Sequence, residues 1–202
     1  MKIIIIGEAG TIGKKVNEYF SKKNETIVAG RNSGKIHVDI TSSDSIKSMF
    51  ETVGQVDAVI CIAGEAKWAP FHSMTEEDFY IGLKSKLMGQ VNLVRLGQKY
   101  INTGGSISLT TGILSDHPVM LTTSAAMVNG AIHSFVKAVS MELTNLIRIN
   151  VVSSGLVEDA VEKYEAYFSG HNPIPMKKVI NGYVKSVEGR GTGEIIRMYD
   201  NC

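Results

Sequence analysis

Lys2-Ile3-Ile4-Ile5-Ile6-Gly7-Glu8-Ala9-Gly10-Thr11-Ile12-Gly13 opens the chain and decides its fold. The isoleucines form a short β-branched run that suits a buried strand. Three glycines follow at once, and Lys14 to Lys22 then reads as a helix. Strand, glycine turn and helix in that order make a phosphate cradle. The first glycine allows the tight turn, the second lets a pyrophosphate approach the backbone, and the third lets helix and strand pack closely. The helix start adds free N–H groups and partial positive charge. An ordinary glycine-rich turn is the bland alternative.

The same alternation continues outward from this motif. Strands are expected at Glu25–Ala29, Lys35–Val38, Asp57–Ile62, Ser106–Thr110, within Leu146–Val152 and at Glu194–Tyr199. Between them the pattern predicts helices over Thr41–Val53, Thr75–Lys99 and about Leu121–Leu146. Ser42 or Ser43 suits an N-cap, and Thr75 with Asp78 fits a capping box. Residues 157–188 read as mostly helical, broken by Gly170, Pro173 and Pro175. Helices separating strands imply parallel pairing with right-handed crossovers. The expected architecture is a single α/β domain over residues 1–202. It is a Rossmann-type, doubly wound, three-layer α/β/α fold with a seven-stranded parallel sheet. Its ligand belongs beyond the carboxyl ends of the strands, where the strand order reverses.

Composition narrows the function. The chain has 202 residues, 44% of them hydrophobic, enough for one sizeable core. Its 21 basic and 20 acidic residues leave a net charge of +1, so nothing in the charge favours nucleic acid or an anionic membrane. Cys61 and Cys202 supply neither a disulfide framework nor metal-ligand spacing, and no metal is expected. Cys61 reads as a small buried apolar residue. With no leader-like or membrane-spanning run, the expectation is a cytoplasmic protein.

Several segments together resemble the short-chain dehydrogenase/reductase family, in the right order and over nearly the whole chain. Gly7-x-x-Gly10-x-Ile12-Gly13 resembles its cofactor loop, and Asp39-Ile40 stands where the family contacts adenine. Cys61-Ile62-Ala63-Gly64 resembles the Asn-Asn-Ala-Gly turn with both asparagines replaced. Gly105 to Thr111 resembles the strand that ends in the catalytic Ser. Ile147 to Gly155 resembles Ile-Arg-Val-Asn followed by Pro-Gly, with Ser154 in place of Pro. Gly191-Thr192-Gly193-Glu194 resembles the closing Thr-Gly.

The resemblance implies a nicotinamide cofactor, a small-molecule substrate, and a homodimer or homotetramer packed through the two long helices. It also implies an Asn–Ser–Tyr–Lys tetrad. Counting back from Ser140-Met141-Glu142-Leu143 puts Ala125 at the Tyr position and Asn129 at the Lys position. Lys86, three residues before Gly89, replaces the Asn, and Thr111, or Thr110 if the register slips, replaces the Ser. Alanine donates no proton, and neutral asparagine carries no charge to depress a phenol pKa. Thr111 is then expected to bind a carbonyl, and Lys86 to replace the missing ammonium or to act as the acid; Lys86 in solvent or in a salt bridge is the bland alternative.

The cofactor site is expected to comprise Gly7, Gly10, Thr11, Ile12, Gly13, Arg31, Asn32, Asp39, Ile40, Ala63, Gly64 and Val157. The second strand ends in Ala29-Gly30-Arg31-Asn32-Ser33, which lacks the acid that binds a ribose 2′-OH. Arg31 suits a 2′-phosphate, so NADP(H) is preferred, with NAD(H) possible. His117 and Asp116 are candidates in a loop overhanging the site. Thr122, Thr123 and Ser124 fit helix capping. Trp68, Tyr164, Tyr167 and Phe168 suit either a substrate pocket or packing. The segment between the last two strands is short for the family, so the substrate lid is expected to be trimmed. Two functions follow: an NADP-dependent oxidoreductase with an altered catalytic set, or a catalytically silent dinucleotide-binding sensor or scaffold.

Overall fold

A computed structural model describes residues 1–199; Cys202 lies outside the described residues. Seven parallel strands form one sheet in the order β3-β2-β1-β4-β5-β6-β7. They are β1 (Lys2–Ile6), β2 (Glu25–Gly30), β3 (Ile36–His37), β4 (Val56–Cys61), β5 (Ile101–Gly112), β6 (Arg148–Ser154) and β7 (Ile195–Met198). The expected doubly wound three-layer architecture is observed.

The four isoleucines of β1 explain the layering. Side chains alternate across a sheet. Ile4 and Ile6 enter the core on one face, Ile3 and Ile5 the core on the other. Helices α2 (Ser43–Val53), α4 (Gly89–Gly97) and α5 (Thr123–Val139) cover the first face, through Phe50, Leu93 and Ile132. Helices α1 (Thr11–Phe20) and α7 (Met176–Glu188) cover the second, through Val16, Phe20 and Tyr183. A strand between two helical layers must be apolar on both sides.

Three helical stretches after β4 differ from the sequence expectation. The stretch from Thr75 to Lys99 is not one α-helix. It runs as α3 (Glu76–Gly82), a π turn over Leu83–Met88, and α4, ending in a 3₁₀ turn. The capping box of Thr75 and Asp78 is present at its start. Helix α5 stops at Val139, seven residues early, and Asn145 and Leu146 take positive φ (56° and 57°), which exclude a right-handed helix there. Between β6 and α7 the helical content is one turn of α6 (Val161–Tyr164) flanked by 3₁₀ turns, and Pro175 then precedes α7.

Helix α1 starts at Thr11, three residues before the expected Lys14, with Gly10 as its N-cap. The turn has no room for side chains. Gly7 adopts φ +92°, and a Cβ there would lie 2.8 Å from the Ala63 nitrogen. A Cβ on Gly13 would overlap the Gly7 carbonyl oxygen, so this glycine sets how closely α1 approaches β1. A Cβ on Gly10 would meet that oxygen only at 3.6 Å. Gly13→Ala is therefore expected to lower stability by about 1–3 kcal/mol, and Gly10→Ala to change it by less than about 1 kcal/mol. Urea unfolding of the two variants checks the contrast.

Candidate active site

The strand order reverses between β1 and β4, and three connected cavities open there at the carboxyl ends of the strands. The first, about 530 Å³, is bounded by Gly7, Gly10, Arg31, Asn32, Asp39 and Ile40, with Ala63 and Gly64 opposite. Gly7, Gly10 and Ile62 also line the second, of about 330 Å³. There Thr11, Ile12 and Val157 face Leu114 and Phe168. The third, about 630 Å³, holds Lys86, Ala125, Asn129, Trp68, Tyr164 and Tyr167. Together they form a continuous crevice.

Each wall has a local cause. Gly64 takes φ +125°, and a Cβ on it would come 2.9 Å from the Lys86 Cα, so the β4 turn lies directly on the π turn. A π turn admits an extra residue and shifts the side chains that follow it. Ser85 and Lys86 both reach the crevice from it: the Ser85 hydroxyl accepts the Glu65 N–H at 3.2 Å, and Lys86 lines the third cavity. Buried Gln90 clamps α4 to β5, donating to the Thr110 carbonyl (3.0 Å) and accepting from its N–H (3.1 Å).

The sequence model of the family described as enoyl-(acyl carrier protein) reductase, a short-chain dehydrogenase group, matches residues 9–182. The chain belongs to the short-chain dehydrogenase/reductase family. Protein lin1944 from Listeria innocua is 46% identical, covers 98% of this chain and 100% of its own, and superposes with a TM-score of 0.97. A small-chain dehydrogenase solved in complex with NADPH is 26% identical, with 98% and 95% coverage and a TM-score of 0.86. The 3-oxoacyl-[acyl-carrier-protein] reductase of Thermotoga maritima is 26% identical over 180 positions, covering 77% of this chain and 73% of that one.

The residues expected to bind a cofactor converge on the crevice, except Gly13, which lies beneath the turn. Arg31 lines the first cavity, with Glu65 at 4.0 Å, both side chains being exposed, and its charge also reaches Asp39. Asp39 accepts the Thr41 N–H (2.9 Å) and hydroxyl (2.8 Å) on one oxygen, and these bonds hold its carboxyl below the ordinary range. Val157 is buried on the second cavity and bridges to Ile174.

The expected catalytic set divides. Lys86 has no hydrogen bond or ion pair among the described residues, and burial lowers its ammonium pKa. The salt-bridged alternative therefore has no support. Asn129 is buried beside it, with Oδ1 unpartnered and Nδ2 3.5 Å from the Gly112 carbonyl. Ala125 lies on the same wall.

The expectation for Thr111 requires correction. Its hydroxyl faces away from the crevice and pairs with His133 Nε2 at 2.8 Å, and Thr111 lines none of the three cavities. The Thr110 hydroxyl is also engaged, donating to the Cys61 carbonyl at 2.6 Å and pairing with the Tyr183 hydroxyl at 2.8 Å. Gly112, not a hydroxyl residue, ends β5 at the crevice.

Other candidates have other partners. His117 packs against the rings of Tyr199 and His171, outside the cavities. Asp116 accepts from Arg197 Nε (2.6 Å) and the Tyr199 hydroxyl (2.5 Å), which lowers its pKa. The Thr122 hydroxyl bonds the Val119 carbonyl and caps no helix N–H, and Ser124 Oγ is buried without a partner. Cys61 is buried, as expected. Ser85 was not legible in the sequence, because only the π turn brings it to the crevice.

His133 supplies a pH dependence. Burial lowers its imidazole pKa to about 4, against 6.5 in a free chain. Between those values the unfolded chain binds a proton that the folded one does not, so stability falls as pH drops through this window. We expect a loss of up to about 1.4 kcal/mol per pH unit from pH 6.5 towards 4, and a flatter profile for His133→Gln, read as melting temperature against pH.

Proposed function

We propose that the chain is an NADP(H)-dependent oxidoreductase acting on a small carbonyl or alcohol, with a catalytic set that departs from its family's. The observation that carries this reading is a side-chain-free glycine cradle opening into a cleft that contains an unpaired lysine. The cradle suits the dinucleotide because added Cβ atoms would fill it at Gly7 and Gly13. The NADPH complex of the similar small-chain dehydrogenase supports the same cofactor class.

In this reading Gly7 and Gly10 let the pyrophosphate approach the backbone, and N–H groups at the start of α1 hold it. Arg31 and Asn32 take the ribose 2′-phosphate, where a guanidinium forms charge-assisted contacts. Asp39 and Ile40 border the adenine, and Val157 with Thr11 and Ile12 border the nicotinamide. The bound cofactor supplies the hydride. Lys86 supplies the cation, holding the nicotinamide ribose directly or through water and stabilising negative charge on the substrate oxygen. A positive charge in a partly desolvated cleft acts more strongly than one in bulk water. Asn129 lines the same cleft. A homodimer or homotetramer belongs to this reading, supported by exposed Ile81, Met88 and Met127 on the α3–α4 and α5 faces.

Ala125 and Asn129 favour one second reading, a catalytically silent NADP(H) binder. Calorimetry and NADPH oxidation separate the two. We expect NADPH to bind at least tenfold tighter than NADH, about 1.4 kcal/mol, and Arg31→Ala to erase that difference. Lys86→Met is expected to slow NADPH-dependent carbonyl reduction on the order of a hundredfold. Binding of NADPH without turnover by the wild-type protein would establish the silent reading, and failure to bind either dinucleotide would remove both.

A further inference from the structure

Reduction of a carbonyl requires a proton donor where substrate and nicotinamide meet. The second and third cavities share four lining residues: Trp68, Gly112, Leu114 and Tyr164. Glycine and leucine have no acidic side-chain proton, and the indole N–H does not act as an acid in water. The Tyr164 phenol is the single proton acid in this set. Its hydroxyl has no hydrogen-bond partner among the described residues, while its ring packs against Trp68 at 5.6 Å.

Two cations attend it. Lys163 Nζ lies 5.0 Å from the centre of the Tyr164 ring, and Lys86 lines the same cleft. Both bring positive charge to the cleft in which this phenol stands. A phenol and a lysine thus face one cleft from two separate elements, α6 and the π turn, where α5 presents only Ala125 and Asn129.

We infer that Tyr164 is the proton donor for carbonyl reduction, a role that rests on the oxidoreductase reading above. The carbonyl carbon receives a hydride from the reduced dinucleotide and forms a C–H bond. The carbonyl π pair moves to oxygen, the Tyr164 O–H bond breaks, and its proton passes to that oxygen. The substrate gains two electrons and the dinucleotide loses them. The phenolate recovers a proton from water through the open side of the cleft.

The test pairs kinetics with a readout that needs no turnover. Diacetyl, benzaldehyde and ethyl acetoacetate serve as carbonyl probes with NADPH. Tyr164→Phe is expected to lower kcat on the order of a hundredfold, within the range of general-acid catalysis, with NADPH affinity and melting temperature changed little. Separately, tetranitromethane nitration mapped by mass spectrometry is expected to modify Tyr164 in the free protein. Saturating NADPH should shield Tyr164 while exposed Tyr19 on α1 stays reactive. Undiminished turnover in Tyr164→Phe overturns the inference and leaves the oxidoreductase reading intact. Unchanged Tyr164 nitration with NADPH bound also overturns it, by placing the phenol away from the cofactor. A wild-type protein that binds NADPH yet reduces none of the probes sinks the oxidoreductase reading, and the proton-donor role falls with it.

Discussion

The contact between the Gly7 carbonyl and Gly13 is the constraint on which the rest depends. It brings the first turn of α1 against the end of β1 with no side chain between them. The same absence of Cβ atoms leaves backbone N–H groups open at the helix start, where an anion is favoured. Because β1 is central and apolar on both faces, its position is fixed by two cores at once. The crevice inherits that rigidity. Gly7 leans on Ala63 across from β4, and Gly64 leans on Lys86, so one chain of backbone contacts runs from the phosphate cradle to the cleft lysine.

The polar groups of the cleft come from more than one element. Helix α5 still presents two residues to the cleft, Ala125 and Asn129, but neither can act as acid or cation at neutral pH. The cation comes from the π turn, and Gly64 gives it space. An unpaired lysine in a partly desolvated cleft carries a solvation cost that an anionic transition state or ligand phosphate would offset. Asn129 Oδ1, buried with no partner, is a second unmet group on the same wall. An unpaired lysine lining a cavity is better accounted for by a ligand that pairs it than by packing alone.

The parallel sheet, the layers and the cradle were legible in the sequence, because parallel strands buried on both faces read as β-branched runs and the glycine spacing marks the turn. Arg31 and Asp39 were legible for the same reason: each follows a strand end. Details set by distant residues were not. Thr110 and Thr111 look interchangeable in the chain, yet a strand turns successive side chains to opposite faces. Each is claimed by a partner far along the sequence, Tyr183 for one and His133 for the other. The π turn left no periodic signature, so Lys86 could be named but its lack of an acid partner could not. Tyr164 was visible only as an aromatic suited to a pocket or to packing, since its place between two cavities depends on how the short α6 segment packs beside Leu114, Leu156 and Phe168.

The most direct test of the account is backbone amide mapping by NMR during titration with NADPH. The predicted result is a set of saturable shifts at Gly7 to Gly13, Arg31 to Ile40, Ala63, Gly64 and Val157, with Tyr183 and His133, behind the crevice, nearly unmoved. Shifts confined to other surfaces, or none at Gly7 to Gly13, would contradict the central claim that this crevice is a dinucleotide site.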